Sequence, residues 1–175
     1  MKATSFAYTN AALATCCAAA LATAACASEA QTEPTAFTAT QATPDDTYLD
    51  APQTPGTWIY SSEPGETFAL FGANMRQPDF MVRCGDGALA LARVTHADQT
   101  EARAMKVITE TVTSHLEAAP VPSMERILAA SLDPRDPLLD AMAITKGRFA
   151  IEVEGFEPLY LPAWTEVSRV IEDCR

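Results

Sequence analysis

From Thr57 onward, apolar and polar positions alternate in short blocks separated by turn-forming residues, the pattern of β-strands rather than of long helices. Trp58-Ile59-Tyr60 and Phe68-Ala69-Leu70-Phe71 predict two strands on either side of the turn composition Ser61-Ser62-Glu63-Pro64-Gly65. Phe80-Met81-Val82-Arg83-Cys84 and Ala88 to Val94 form the clearest hairpin, joined by the three-residue loop Gly85-Asp86-Gly87. Alternation sets Phe80, Val82 and Cys84 on one face, so Cys84 is expected to point into the core. Further strands are expected at Ala104 to Val112, rich in Thr and Val, and at Arg148 to Val153 after the Lys146-Gly147 turn. Residues 124 to 144 stay open. Met124 to Leu132 suits helix or strand, while Asp136-Pro137 ahead of Leu138-Leu139-Asp140-Ala141-Met142 reads as a capped helical turn.

The C-terminus carries a helical period. After Pro162, the residues Trp164, Val167, Ile171 and Cys174 recur at spacings of three, four and three, one face of an amphipathic helix, with Glu166, Arg169, Glu172 and Asp173 off that face. Cys174 then lies on a buried stripe where it can meet the inward-facing Cys84. The expected fold is α+β, mainly β: an antiparallel sheet or sandwich with a C-terminal helix tied on by a disulfide.

The N-terminal region follows other rules. Lys2 precedes a run dominated by Ala, Thr and Ser that ends in small residues before Cys26, which predicts a signal peptide over residues 1–25. Leu21-Ala22-Thr23-Ala24-Ala25-Cys26 resembles a bacterial lipobox, making Cys26 a candidate lipidation site. The rival is an A-x-A cut at Ala25-Cys26-Ala27, which starts a soluble secreted chain at Ser28. Either way Cys16 and Cys17 leave with the leader, and Cys84 and Cys174 remain as a pair in an oxidising compartment. Residues 26–56 are rich in Thr, Ala, Pro, Gln and acids, with Phe37, Tyr48 and Leu49 the only large apolar side chains, so they are expected to form a flexible acidic tether. Residues 57–175 suit a single globular domain.

Charge narrows the partners. The chain carries a formal −11; its only cation before Arg76 is Lys2, and from Thr57 onward 11 basic residues face 18 acidic ones, about −7 for the domain. Phosphate backbones require the opposite sign, which argues against nucleic acid. A basic protein partner is compatible with it.

Candidate chemistry is sparse. His96 and His115 are the only histidines; His96-Ala97-Asp98 sets an imidazole and a carboxylate near one another, and no second His or Cys pair has metal-ligand spacing. Asp133 and Asp136 are close in sequence, as general acid and base would be, and equally as Asp-Pro turns and helix caps are. No nucleophile elbow, zinc-protease motif or phosphate loop occurs. Lys146 and Arg148 flank a turn and read as surface. Phe156, Tyr160 and Trp164, with Leu159 and Leu161 around Pro158 and Pro162, form an apolar cluster that is a candidate binding surface. No cofactor or metal is expected.

The strand-borne Cys84, the starting Trp58 and the closing stretch from Gly147-Arg148-Phe149 through Gly155 to Cys174 resemble small exported alphaproteobacterial envelope domains that accompany type VI secretion systems. The resemblance covers residues 58–174 and implies a periplasmic location with an envelope protein as partner. Phe80 through Leu89 is also similar to periplasmic inhibitors of C-type lysozyme, whose basic targets would suit an acidic domain. The expectation is a non-catalytic interaction domain held by lipid to the envelope, facing the periplasm from the outer membrane, with a soluble periplasmic or secreted protein as the other location. An inhibitor of a basic cell-wall hydrolase comes second, and an enzyme using His96 and Asp98 third.

Overall fold

The computed structural model describes residues 46–175 except Ser123. The expected signal peptide, the acylated Cys26 and the tether as far as Asp45 lie outside the described residues. Nine strands follow in chain order: β1 Thr57–Glu63, β2 Glu66–Gly72, β3 Phe80–Gly85, β4 Ala88–Val94, β5 Arg103–Ile108, β6 Thr113–Val121, β7 Met124–Leu132, β8 Arg148–Val153 and β9 Leu159–Pro162. Two helices accompany them, α1 Pro137–Ile144 and α2 Thr165–Asp173. The strands form one antiparallel sheet in the order β1-β2-β3-β4-β7-β6-β5-β8-β9. The fold is thus mainly β, with the C-terminal helix bridged to the sheet.

Local sequence accounts for most of these elements. Gly85 pairs with Ala88, so the loop of the β3–β4 hairpin is the two residues Asp86-Gly87, not the expected three. Both have positive φ, 55° and 74°, the mirror-image turn that matches strand twist and that Asp-Gly adopts at low cost. The ambiguous Met124 to Leu132 is strand, because its alternate residues Leu128, Ala130 and Leu132 all meet the core. Asp136 caps α1, its Oδ1 accepting from the Leu138 N–H at 2.9 Å, and Pro137 opens the helix where no N–H is needed.

Two expectations change. The strand expected over Ala104 to Val112 stops at Ile108, and the chain returns at once as β6, where His115, Glu117 and Pro120 broke the apolar pattern. β6 pairs with β5 over Thr113 to Ala118 and with β7 from Ala119, with a register shift between Pro120 and Val121. It thereby carries the sheet around a corner. Trp164, expected on the buried stripe, caps α2 with 43% exposure, because the chain is still extended there and helical geometry starts only at Thr165. The helix instead buries Val167, Val170 and Ile171.

Alternation puts Trp58, Phe71, Phe80, Val82, Leu89, Leu91, Leu128, Met105, Val107, Phe149, Ile151 and Leu161 into one core, closed by Leu138, Leu139 and Met142 of α1 and by the buried face of α2. Trp58 is its hub. Its ring lies 5.2 Å from Phe71 and 6.5 Å from both Phe80 and Phe149, and its indole Nε1–H donates to the Pro162 carbonyl at 2.8 Å. First and last strands are thus clasped by a side chain, although they do not pair. Cys84 and Cys174 are joined by a disulfide, with Cα atoms 5.4 Å apart.

The folded unit starts before the expected boundary at Thr57. A single 3-10 turn, Asp46–Leu49, places Tyr48 (3% exposed) against Ile108, Ala150 and Tyr160 on the outer side of the sheet. The following residues strap down along β9: Arg148 donates to the Ala51 carbonyl, the Thr54 N–H to the Tyr160 carbonyl at 3.0 Å, and the Tyr160 N–H to Thr54 Oγ1 at 2.9 Å. These partners come from the far end of the chain, so local composition could not announce them.

Candidate functional site

The outer face of β2, β3, β4 and β7 is apolar as well as the inner one. Register aligns Phe68 with Arg83, Arg83 with Ala90, Met81 with Ala92, Ala92 with Ala129, and Val94 with Ile127. These residues alternate with the core-facing ones and so occupy the opposite face. The result is a floor of Ala90, Ala92 and Ala129 between bulkier Phe68, Met81 and Ile127. The Arg76 to Pro78 segment rises on one side, Val121 with Met124 to Arg126 on the other. The groove is open to solvent and measures about 1090 Å³. Its walls leave Ala92 only 1% exposed, whereas Met124 on the rim is 54% exposed.

Charge at the rim is balanced. Arg83 donates to Glu66 from Nε at 3.1 Å and from Nη2 at 2.5 Å, and to Asp86 at 3.3 Å. The hydrogen bond from Arg83 holds the Glu66 carboxyl below its ordinary range, and the Arg83 guanidinium is correspondingly raised by Glu66. Arg126 Nε donates to Asp98 at 3.1 Å. With Arg76 and Glu125, three guanidinium groups face three carboxylates around the groove, so the excess negative charge of the domain lies elsewhere. Arg93, near the end of β4, donates to the Asp79 carbonyl at 2.6 Å, and burial lowers its pKa from the ordinary arginine value.

Among the lining residues the one hydroxyl is Thr95, 2% exposed, which donates to the carbonyls of Ala97 and Arg126. The groove therefore offers apolar burial and an ionic rim to a ligand, with no nucleophile and base set side by side. Methionine at the wall is flexible and can adapt to varied shapes.

No known protein family, curated protein or solved structure matches the chain.

The residues singled out in the sequence fare differently. Cys84 and Cys174 come together as expected. Phe156, Tyr160 and Trp164 are divided: Phe156 packs against the main core, Tyr160 joins Tyr48 on the outer side, and Trp164 stands exposed ahead of α2. His96 is exposed, and Asp98 bonds Arg126. Asp133 accepts from the Arg135 N–H and Asp136 caps α1, the turn and cap roles such residues commonly fill. Among the described residues no cluster of three or more His, Cys, Asp or Glu could hold a metal, and no helix is long and apolar enough to cross a membrane. The alanine-floored groove escaped notice in the sequence. Its signal is a set of strands apolar on both faces, muted because the second face carries alanine where larger residues would have stood out.

Proposed function

We propose that the chain is a non-catalytic, lipid-anchored domain of the cell envelope that faces the periplasm and binds another envelope protein through the alanine-floored groove. The groove itself is the observation that supports this reading. It presents a broad apolar surface on a domain that already has a complete core on the other face of the same strands. A small-residue floor lets a partner's backbone approach closely, while Phe68 and Met81 take up its side chains. The acidic segment ahead of Asp46 suits a tether between a lipid on Cys26 and this domain.

A photo-crosslinking residue at Met81 in the full-length protein is expected to trap a defined protein in intact cells. The same residue at exposed Glu154 should not, and Ala90→Glu, which fills the floor with a charge, should reduce the Met81 adduct about tenfold while the melting temperature stays close to that of the parent. Equal adducts at Met81 and Glu154 would sink the reading.

The anchor has its own measurement. Intact mass of the mature protein should correspond to a chain beginning at Cys26 with added diacylglycerol and acyl groups. A mass beginning at Ser28 without lipid would instead give a soluble exported protein.

A further inference from the structure

The two ends of the sheet are finished differently. Along β9 the backbone groups of Leu159 and Leu161 face β8, those of Tyr160 and Pro162 turn outward, and Pro158 immediately precedes the strand. The prolines have no N–H, Tyr160 is bonded by Thr54, and the Pro162 carbonyl is taken by Trp58. Proline and a covering segment are common guards of a sheet edge. Among the described residues β1 has no such guard. Its two-residue hairpin closes at Glu63–Glu66, so Thr57, Ile59, Ser61 and Glu63 turn their backbone groups toward β2. Trp58, Tyr60 and Ser62 turn theirs away from the sheet, and among the described residues no backbone group bonds them there.

Beside this edge runs α2. The Arg169 guanidinium lies 3.8 Å from the centroid of the Tyr60 ring, and the Tyr60 hydroxyl donates to Asp173 at 2.8 Å. Tyr60 and the outer side of α2 border an open groove of about 620 Å³, with Glu166, Glu172 and Asp173 in its wall. One Glu166 carboxylate oxygen is shut off from solvent there and has no donor. Three carboxylates stand against one guanidinium that is already stacked on an aromatic ring.

We propose that the β1 edge and α2 form a strand-accepting groove for an extended, basic segment of a partner protein. Its backbone pairs with Trp58, Tyr60 and Ser62, which extends the sheet by one strand. Alternation then sends every second side chain toward α2, where lysine or arginine meets the carboxylates. The intervening side chains lie over Ile59, now 44% exposed. This surface shares no residue with the alanine-floored groove, and the two stand or fall separately.

The probe is a short peptide alternating lysine and valine, added to the full mature protein and followed by amide chemical shifts. Shifts are expected at Trp58, Tyr60 and Ser62. N-methylation of alternate peptide amides, which keeps the charge and removes the donors, should weaken binding about tenfold. Ser62→Pro should do the same, since that N–H faces outward and serves no bond within the sheet, and Glu172→Lys should act in the same direction by reversing a carboxylate. An unchanged melting temperature in each variant shows that the fold is intact. The proposal is overturned by equal affinity for the N-methylated peptide, by shifts confined to the alanine-floored groove, or by no binding to natively melting protein. It is likewise overturned if Ser62→Pro turns a dimer into a monomer without peptide, because the edge then belongs to a second copy.

Discussion

Opening the Cys84–Cys174 bridge is expected to lower the stability of the domain by about 4 to 5 kcal/mol. The bridge spans 90 residues of sequence, and in the chain-entropy account a loop of that length restricts the unfolded chain by roughly this amount. For a domain of this size that corresponds to a fall in melting temperature of roughly 15 to 20 °C. Thermal melts of oxidised protein, reduced protein and a Cys84→Ala/Cys174→Ala variant provide the comparison. The loss should appear first in α2, because Cys174 closes that helix and α2 otherwise holds the sheet through one apolar stripe and the contacts of Arg169 and Asp173 with Tyr60. Hydrogen exchange at Val167 and Val170 should accelerate before exchange in β3 or β4. A shift below about 2 °C would mean that the packing of α2 suffices without the bridge.

Trp58→Ala should cost about 3 to 5 kcal/mol, roughly a fifth or more of the stability of an ordinary domain. The residue is 3% exposed, touches aromatic rings from β2, β3 and β8, and supplies the indole hydrogen bond that joins the two ends of the sheet. Trp58→Phe separates the parts: it keeps most of the apolar contact, removes the donor to Pro162, and should cost about 1 to 2 kcal/mol. Urea denaturation measures both. A phenylalanine variant as unstable as the alanine one would assign the whole effect to the clasp, and one equal to the parent would assign it to packing alone.

The sequence showed its strands wherever one face is buried and the turns are marked by Gly or Pro. β1 to β4 and β8 follow from that, and the pairing of Cys84 with Cys174 follows from a strand period at one end and a helix period at the other. β6 was hidden because it turns a corner: neither of its faces is buried throughout, so no period of two survives. Docking of Tyr48 was equally invisible, since its contacts are Ile108, Ala150 and Tyr160, far along the chain. The apolar groove was not legible, as alanine on an outer face is ordinary in any one strand and acquires meaning only when neighbouring strands line up. Phe156, Tyr160 and Trp164 misled for the converse reason, because neighbours in sequence are sent to different sides by alternation and by the start of a helix.

The unlike edges of the sheet limit how this protein can assemble. A molecule with two open edges can accept a strand on one side and template the next molecule on the other, so its growth has no natural end. Here the strap and the prolines remove one of the two valences. Association through backbone pairing therefore stops at a single added strand, whether a partner or a second copy supplies it, and a β-rich domain can offer an edge for recognition without seeding a fibre.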